Sequence, residues 1–96
     1  MQPVETVEFW PDYGRGPLWK DGKPADPAAL GVDADLAARL RDWNSRYAET
    51  NLPIDTSGSP AYLAEGSRLL REVRAAVEAG YRLVVTEPWW GEEPDA

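Results

Sequence analysis

The sequence predicts an α+β domain of the order β–loop–α–α–β, in which a helical hairpin packs on a small two-stranded sheet. Three observations carry this. Runs rich in β-forming residues lie near both ends, at Val4–Trp10 and Tyr81–Thr86. Two long stretches between them repeat apolar residues at spacings of three and four, the period of an amphipathic helix. A segment dense in Pro and Gly, residues 11–32, separates the first strand from the helices. At 96 residues the chain fits one domain, expected over residues 1–86, with residues 87–96 as an acidic, Trp-containing tail.

The first strand roughly alternates, with Glu5, Val7 and Phe9 on one face and Val4, Thr6, Glu8 and Trp10 on the other. Pro11 ends it because proline supplies no donor to a ladder. Residues 11–32 hold Pro11, Pro17, Pro24 and Pro27 and four of the eight glycines. They read as a long loop with turns at Asp12–Pro17 and Lys20-Asp21-Gly22. Asp26-Pro27 caps one short turn that Gly31 stops, and Leu18, Trp19 and Leu30 pin the segment to the core.

The first helix is expected from Asp33, as N-cap, to about Asn51. Leu36, Leu40, Trp43 and Tyr47 form its apolar stripe, which assigns Trp43 and Tyr47 to the core. Asp35–Arg39 and Asp42–Arg46 are i,i+4 pairs with the acid first, the favourable order. The second helix is expected from Ser59, its cap, through Pro60 to Ala79, with Gly80 as a left-handed C-cap. Gly66 inside it points to close packing against the first helix, since glycine there costs about 1 kcal/mol relative to alanine. The final strand, Tyr81–Thr86, lays Leu83 and Val85 on the helices beside Val7 and Phe9. A two-stranded sheet is marginal alone and leaves two open edges. Its extension by a homodimer with a shared sheet is therefore a second expectation.

Composition narrows function by exclusion. Seventeen Asp and Glu against ten Lys and Arg give a net charge of −7 and a pI near 4.4. That balance opposes nucleic-acid binding and favours a basic protein partner. The chain has no Cys and no His, which removes thiolate chemistry and the usual general base and zinc ligand. No nucleophile–base pair can be assembled, Gly14-Arg15-Gly16 lacks the pattern of a phosphate cradle, and the acidic residues match no calcium loop. No enzyme activity, cofactor or metal is expected. The apolar runs are too short to span a membrane and Met1-Gln2-Pro3 begins no signal peptide, so the expected location is the cytoplasm.

The aromatic residues are the positive signal. Trp and Tyr dominate binding hot spots, and this chain has five Trp and four Tyr. Trp89 and Trp90 stand among Glu87, Glu92, Glu93 and Asp95 with no Lys or Arg after Arg82. They either fold back as cover for the sheet or anchor a partner inside an acidic field. The expected partner-binding residues are Trp89, Trp90, Glu87, Glu92 and Glu93, followed by Tyr13 and Trp19. Trp10, Tyr13 and Trp19 have two readings, loop-pinning and recognition.

The opening Trp10-Pro11-Asp12-Tyr13-Gly14 with Pro17-Leu18-Trp19 precedes Leu36, Arg39-Leu40, Trp43-Asn44 and Tyr47, and later Glu65-Gly66, Leu69-Leu70 and Val73. This series resembles a family of small acidic bacterial proteins of unknown function. Eight Arg, two Lys and thirteen Ala suggest a GC-rich, actinobacterial type of source. The resemblance implies an immunity- or antitoxin-like protein paired with a toxin, and with the charge of −7 the leading expectation is an inhibitor of a basic protein partner. The alternatives are a homodimeric scaffold and, third, a small-molecule binder or enzyme with its pocket between the 11–32 segment and the helices.

Overall fold

The computed structural model of the chain describes residues 4–54, 57–77 and 79–92. Its elements are β1 (Glu5–Phe9), β2 (Leu18–Lys20), β3 (Lys23–Pro24), α1 (Ala34–Ser45), α2 (Pro60–Ala76) and β4 (Tyr81–Val85). Short 3-10 turns lie at Pro27–Leu30, Glu49–Asn51 and Pro88–Trp90. The class is α+β as expected, but the sheet has four strands in the order β3-β2-β1-β4.

The two added strands correct the reading of residues 11–32 as a loop. Asp21 and Gly22 both take positive φ, 54° and 78°, the combination of a type I′ hairpin turn. They fold β3 back on β2, and β2 pairs antiparallel with β1 through Glu8–Trp19 and Phe9–Leu18. Strands of three and two residues are too short to show alternation, so only their turn was visible. Four strands in one chain replace the marginal two-stranded sheet, and β3 and β4 now stand at its two edges.

β1 and β4 are parallel and in register from Glu5–Tyr81 to Phe9–Val85. Val7, Phe9, Leu83 and Val85 are buried under the helices, as the alternation required. At the sheet edge, Arg74 Nη1 of α2 donates to the Leu83 carbonyl at 3.0 Å, and its guanidinium is also paired with Glu92.

Asp33 caps α1 through the Leu36 N–H at 2.8 Å, and Ser59 caps α2 through the Tyr62 N–H at 3.2 Å. Both helices are shorter than expected. α1 stops at Ser45, where the Asn51 side chain takes the Arg46 carbonyl at 3.0 Å. Tyr47 therefore leaves the helical stripe and is half-buried rather than central. α2 ends at Ala76 with Val77 extended, and Gly80 has no left-handed φ, so it is not the C-cap. The pairs Asp35–Arg39 and Asp42–Arg46 form at 3.4 and 3.2 Å. The same arginines cross to α2, Arg39 meeting Glu72 with two hydrogen bonds of 2.8 and 2.7 Å and Arg46 meeting Glu65.

Gly66 is the point of closest helix approach. A Cβ there would fall 2.5 Å from Trp43 Cζ2 and 2.8 Å from Trp90 Cζ3. The missing side chain admits both indoles, and Trp43 in turn stacks on Tyr62 and Phe9 at 4.6 and 5.5 Å.

The Tyr62 hydroxyl is buried and has no hydrogen-bond partner among the described residues. Burial pushes its pKa well above the ordinary value near 10. The folded state then holds this proton more tightly than the unfolded chain, so its contribution is intact below pH 10 and is lost as pH rises beyond it. Tyr62→Phe is expected to leave urea stability at neutral pH unchanged or raised by up to about 1 kcal/mol, since it removes an unsatisfied buried group. Above pH 10 the advantage of the variant should widen. A loss of stability at neutral pH would show that the hydroxyl is satisfied in solution.

Candidate functional site

Because β1 and β4 run parallel, the segments that leave their carboxyl ends emerge together, the place where open parallel sheets commonly form clefts. After β1 come Trp10, Pro11 and Asp12; after β4 come Thr86 and Glu87, then the turn bearing Trp89 and Trp90. Tyr47 and Leu52, from the segment after α1, complete the lining of a cleft of about 240 Å³. Two carboxylates, Asp12 and Glu87, stand among its aromatic walls, and its described lining contains no Lys or Arg.

Each wall is held from behind. Trp10 stacks on Trp19 with ring centroids 4.1 Å apart and planes 5° from parallel. Its Nε1–H donates to Glu8 at 2.9 Å, and the Trp19 indole donates to the Trp10 carbonyl at 2.7 Å. Gly16 permits this pair, since a Cβ there would meet Trp19 Nε1 at 2.9 Å, and its φ of +97° disfavours other residues. Asp12 is fixed by Asn44, whose amide side chain is buried. Asn44 accepts from the Asp12 N–H at 3.1 Å and donates to the carbonyls of Asp12 and Arg15 at 3.1 and 2.7 Å. A short α1 end thus tethers the segment after β1.

Asn44→Ala should cost about 1–3 kcal/mol, the range for leaving such groups unsatisfied. The loss should localise, with amide exchange accelerating over residues 12–16 more than in α2. Equal acceleration throughout would mean that Asn44 supports the whole core rather than this wall.

Tyr47 packs edge-on against Tyr13 at 4.6 Å, and the Tyr13 hydroxyl accepts from the Glu49 N–H at 3.3 Å. The phenol pKa of Tyr47 is raised by burial first, and then by Glu49, Tyr13 and Asp12. This wall therefore sits in a negative field.

The expected site residues separate in this geometry. Glu87 and Trp89 line the cleft, the first exposed and the second half-buried. Tyr13, 60% exposed, lies beside it against Tyr47. Trp90 reaches the cleft only as its base and is 1% exposed, in edge contact with Phe9 and Trp43 at 5.6 and 5.5 Å. Of its two readings, packing is the one seen. Trp19 is 5% exposed behind Trp10 and offers no surface. Glu92 is engaged by Arg74, and Glu93 lies outside the described residues. Asp12 and Tyr47 join the site without having been singled out for binding, and Trp10, which had loop-pinning and recognition as its two readings, lines the cleft while stacked on Trp19. Among the described residues no group of acidic side chains is arranged to hold a metal, and no helix is long and apolar enough to cross a membrane.

No curated protein matches the chain. Residues 5–88 match a family described as Serratia CdiI immunity protein-like. The matched span runs from the first residue of β1 to the turn after β4, and so takes in both parallel strands and both helices. The chain belongs to this Serratia CdiI immunity protein-like family.

Proposed function

We propose that this protein is a non-catalytic immunity protein that neutralises a basic toxin protein by binding it. The observation that carries the reading is the cleft at the ends of β1 and β4. It combines half-buried aromatic walls with two carboxylates, Asp12 and Glu87, and no Lys or Arg in its described lining, on a chain of net charge −7. Family membership supplies the immunity role, and the geometry supplies a surface suited to it. Aromatic side chains give desolvated anchor area, while an acidic field speeds encounter with positive partners and disfavours others. Glu87, Trp89 and Tyr13 are the contact residues retained from the sequence, with Trp10, Asp12 and Tyr47 beside them. Inhibition by occupancy needs no nucleophile and no cofactor, which suits a chain without His or Cys. The cytoplasm is the expected place of action.

The test is a low-salt pull-down with the full chain from the source organism, with mass spectrometry of what it retains. The expected result is a stoichiometric basic protein, released by about 0.5 M salt as screening shortens the electrostatic reach. Its toxic activity, assayed after purification, should be abolished by one equivalent of this chain. A retained partner whose activity is unaffected would contradict the immunity reading.

A further inference from the structure

The cleft has the chemistry of a socket for one particular side chain, and this inference rests on the binding role proposed above. Its negative groups come from two separate strand ends, Asp12 after β1 and Glu87 after β4. No described cation in the lining neutralises them, and three arginines of the domain are paired with other carboxylates, Arg39 with Glu72, Arg46 with Glu65 and Arg74 with Glu92. The aromatic part is ordered before any partner arrives. Trp10 has one face covered by Trp19 and its N–H held by Glu8, and Trp89 is braced edge-on by the buried Trp90 at 6.2 Å. Asp12 is fixed through its backbone by Asn44.

A planar cation that stacks on aromatic rings and accepts carboxylate partners through several N–H donors fits this combination. Those are the properties of guanidinium, whereas ammonium is more strongly hydrated and does not stack. We infer that the cleft bounded by Trp10, Asp12, Tyr47, Glu87 and Trp89 receives an arginine side chain of the partner protein. The fixed indoles lower the ordering cost of binding, and the pair of carboxylates selects a cation over a neutral group of the same shape.

The experiment needs no toxin, so its outcome is separable from the immunity reading. The 15N-labelled full chain is titrated with N-acetyl-arginine amide, with the lysine analogue, and with the neutral citrulline analogue, while the indole N–H resonances are followed. The expected result is saturable shifts of Trp10 and Trp89 with the arginine probe in the millimolar range. Citrulline should leave them unmoved, lysine should bind at least 3-fold more weakly, and Glu87→Gln should weaken arginine binding about 5-fold without changing the dispersion of the spectrum. Equal shifts with citrulline, no saturation, or tighter binding of lysine would overturn the arginine assignment. A toxin neutralised by a chain that fails this titration would leave the immunity function standing and remove the socket alone.

Discussion

Trp90→Ala is expected to destabilise the domain by about 3–5 kcal/mol, the range for truncating a buried aromatic side chain. Trp90 is among the largest fully buried side chains of the protein. It closes an aromatic cluster with Phe9 and Trp43, and Gly66 exists beside it without a side chain so that both indoles reach α2. Truncation leaves a cavity at the junction of α1, α2 and the sheet that the glycine cannot fill. In a domain of this size each kcal/mol moves the melting temperature by roughly 4–8 °C, so thermal unfolding followed by circular dichroism should shift by about 12 °C or more. Trp89→Ala, at a half-buried position on the cleft, should shift it far less and act on partner binding instead. Equal stability losses in the two variants would mean that Trp89 is also structural, and a small loss in Trp90→Ala would mean that the turn at Pro88–Trp90 is not held in the core.

The second large effect concerns binding. Asp12→Lys combined with Glu87→Lys reverses the charge of the cleft at two positions that face solvent at least in part. The fold should persist, since neither side chain packs in the core. Affinity for the partner captured by the full chain should fall at least 30-fold, about 2 kcal/mol at tenfold per 1.4 kcal/mol. The difference between wild type and variant should narrow as salt is added, because the screening that releases the complex at about 0.5 M acts on the same attraction. Calorimetric titration of the purified partner reads both quantities. The same reversal at Asp35 and Asp42, on the solvated side of α1, should change affinity by no more than a few-fold.

The elements that could be read from the sequence are those with a long period or a distinctive cap. α1 and α2 carry their stripes and the caps Asp33 and Ser59, and β1 and β4 show alternation over five residues. The close approach at Gly66 was legible because a glycine in mid-helix needs a reason. Misplaced boundaries have local causes. Asn51 turns back to cap Arg46 and so ends α1 early, a side-chain contact that no periodicity encodes. The hairpin of β2 and β3 announced only its Asp21-Gly22 turn.

The site was half legible for one reason, the direction of β4. Trp10-Pro11-Asp12-Tyr13 follows β1, and Glu87-Pro88-Trp89-Trp90 follows β4, each joining an acid, a proline and aromatic residues. With the strands antiparallel these segments would lie at opposite ends of the sheet. With the strands parallel they meet, and the two halves of the cleft become one. Strand direction depends on the path through α1 and α2, which is a tertiary property. The roles of Trp90 and Trp19 escaped for a related reason: a tryptophan in an acidic or Gly-rich segment looks the same in sequence whether it packs inward or outward. Tyr47 was placed in the core by helical spacing that ends two residues before it.

The measurement that bears most directly on the whole account is survival of cells expressing the captured toxin together with this chain. The wild-type chain should restore growth, Trp89→Ala should restore it only partly, and the folded Asp12→Lys/Glu87→Lys variant should fail at equal expression. Full rescue by the charge-reversed variant would contradict the cleft as the binding surface, and failure of the wild-type chain to protect would contradict the immunity function itself.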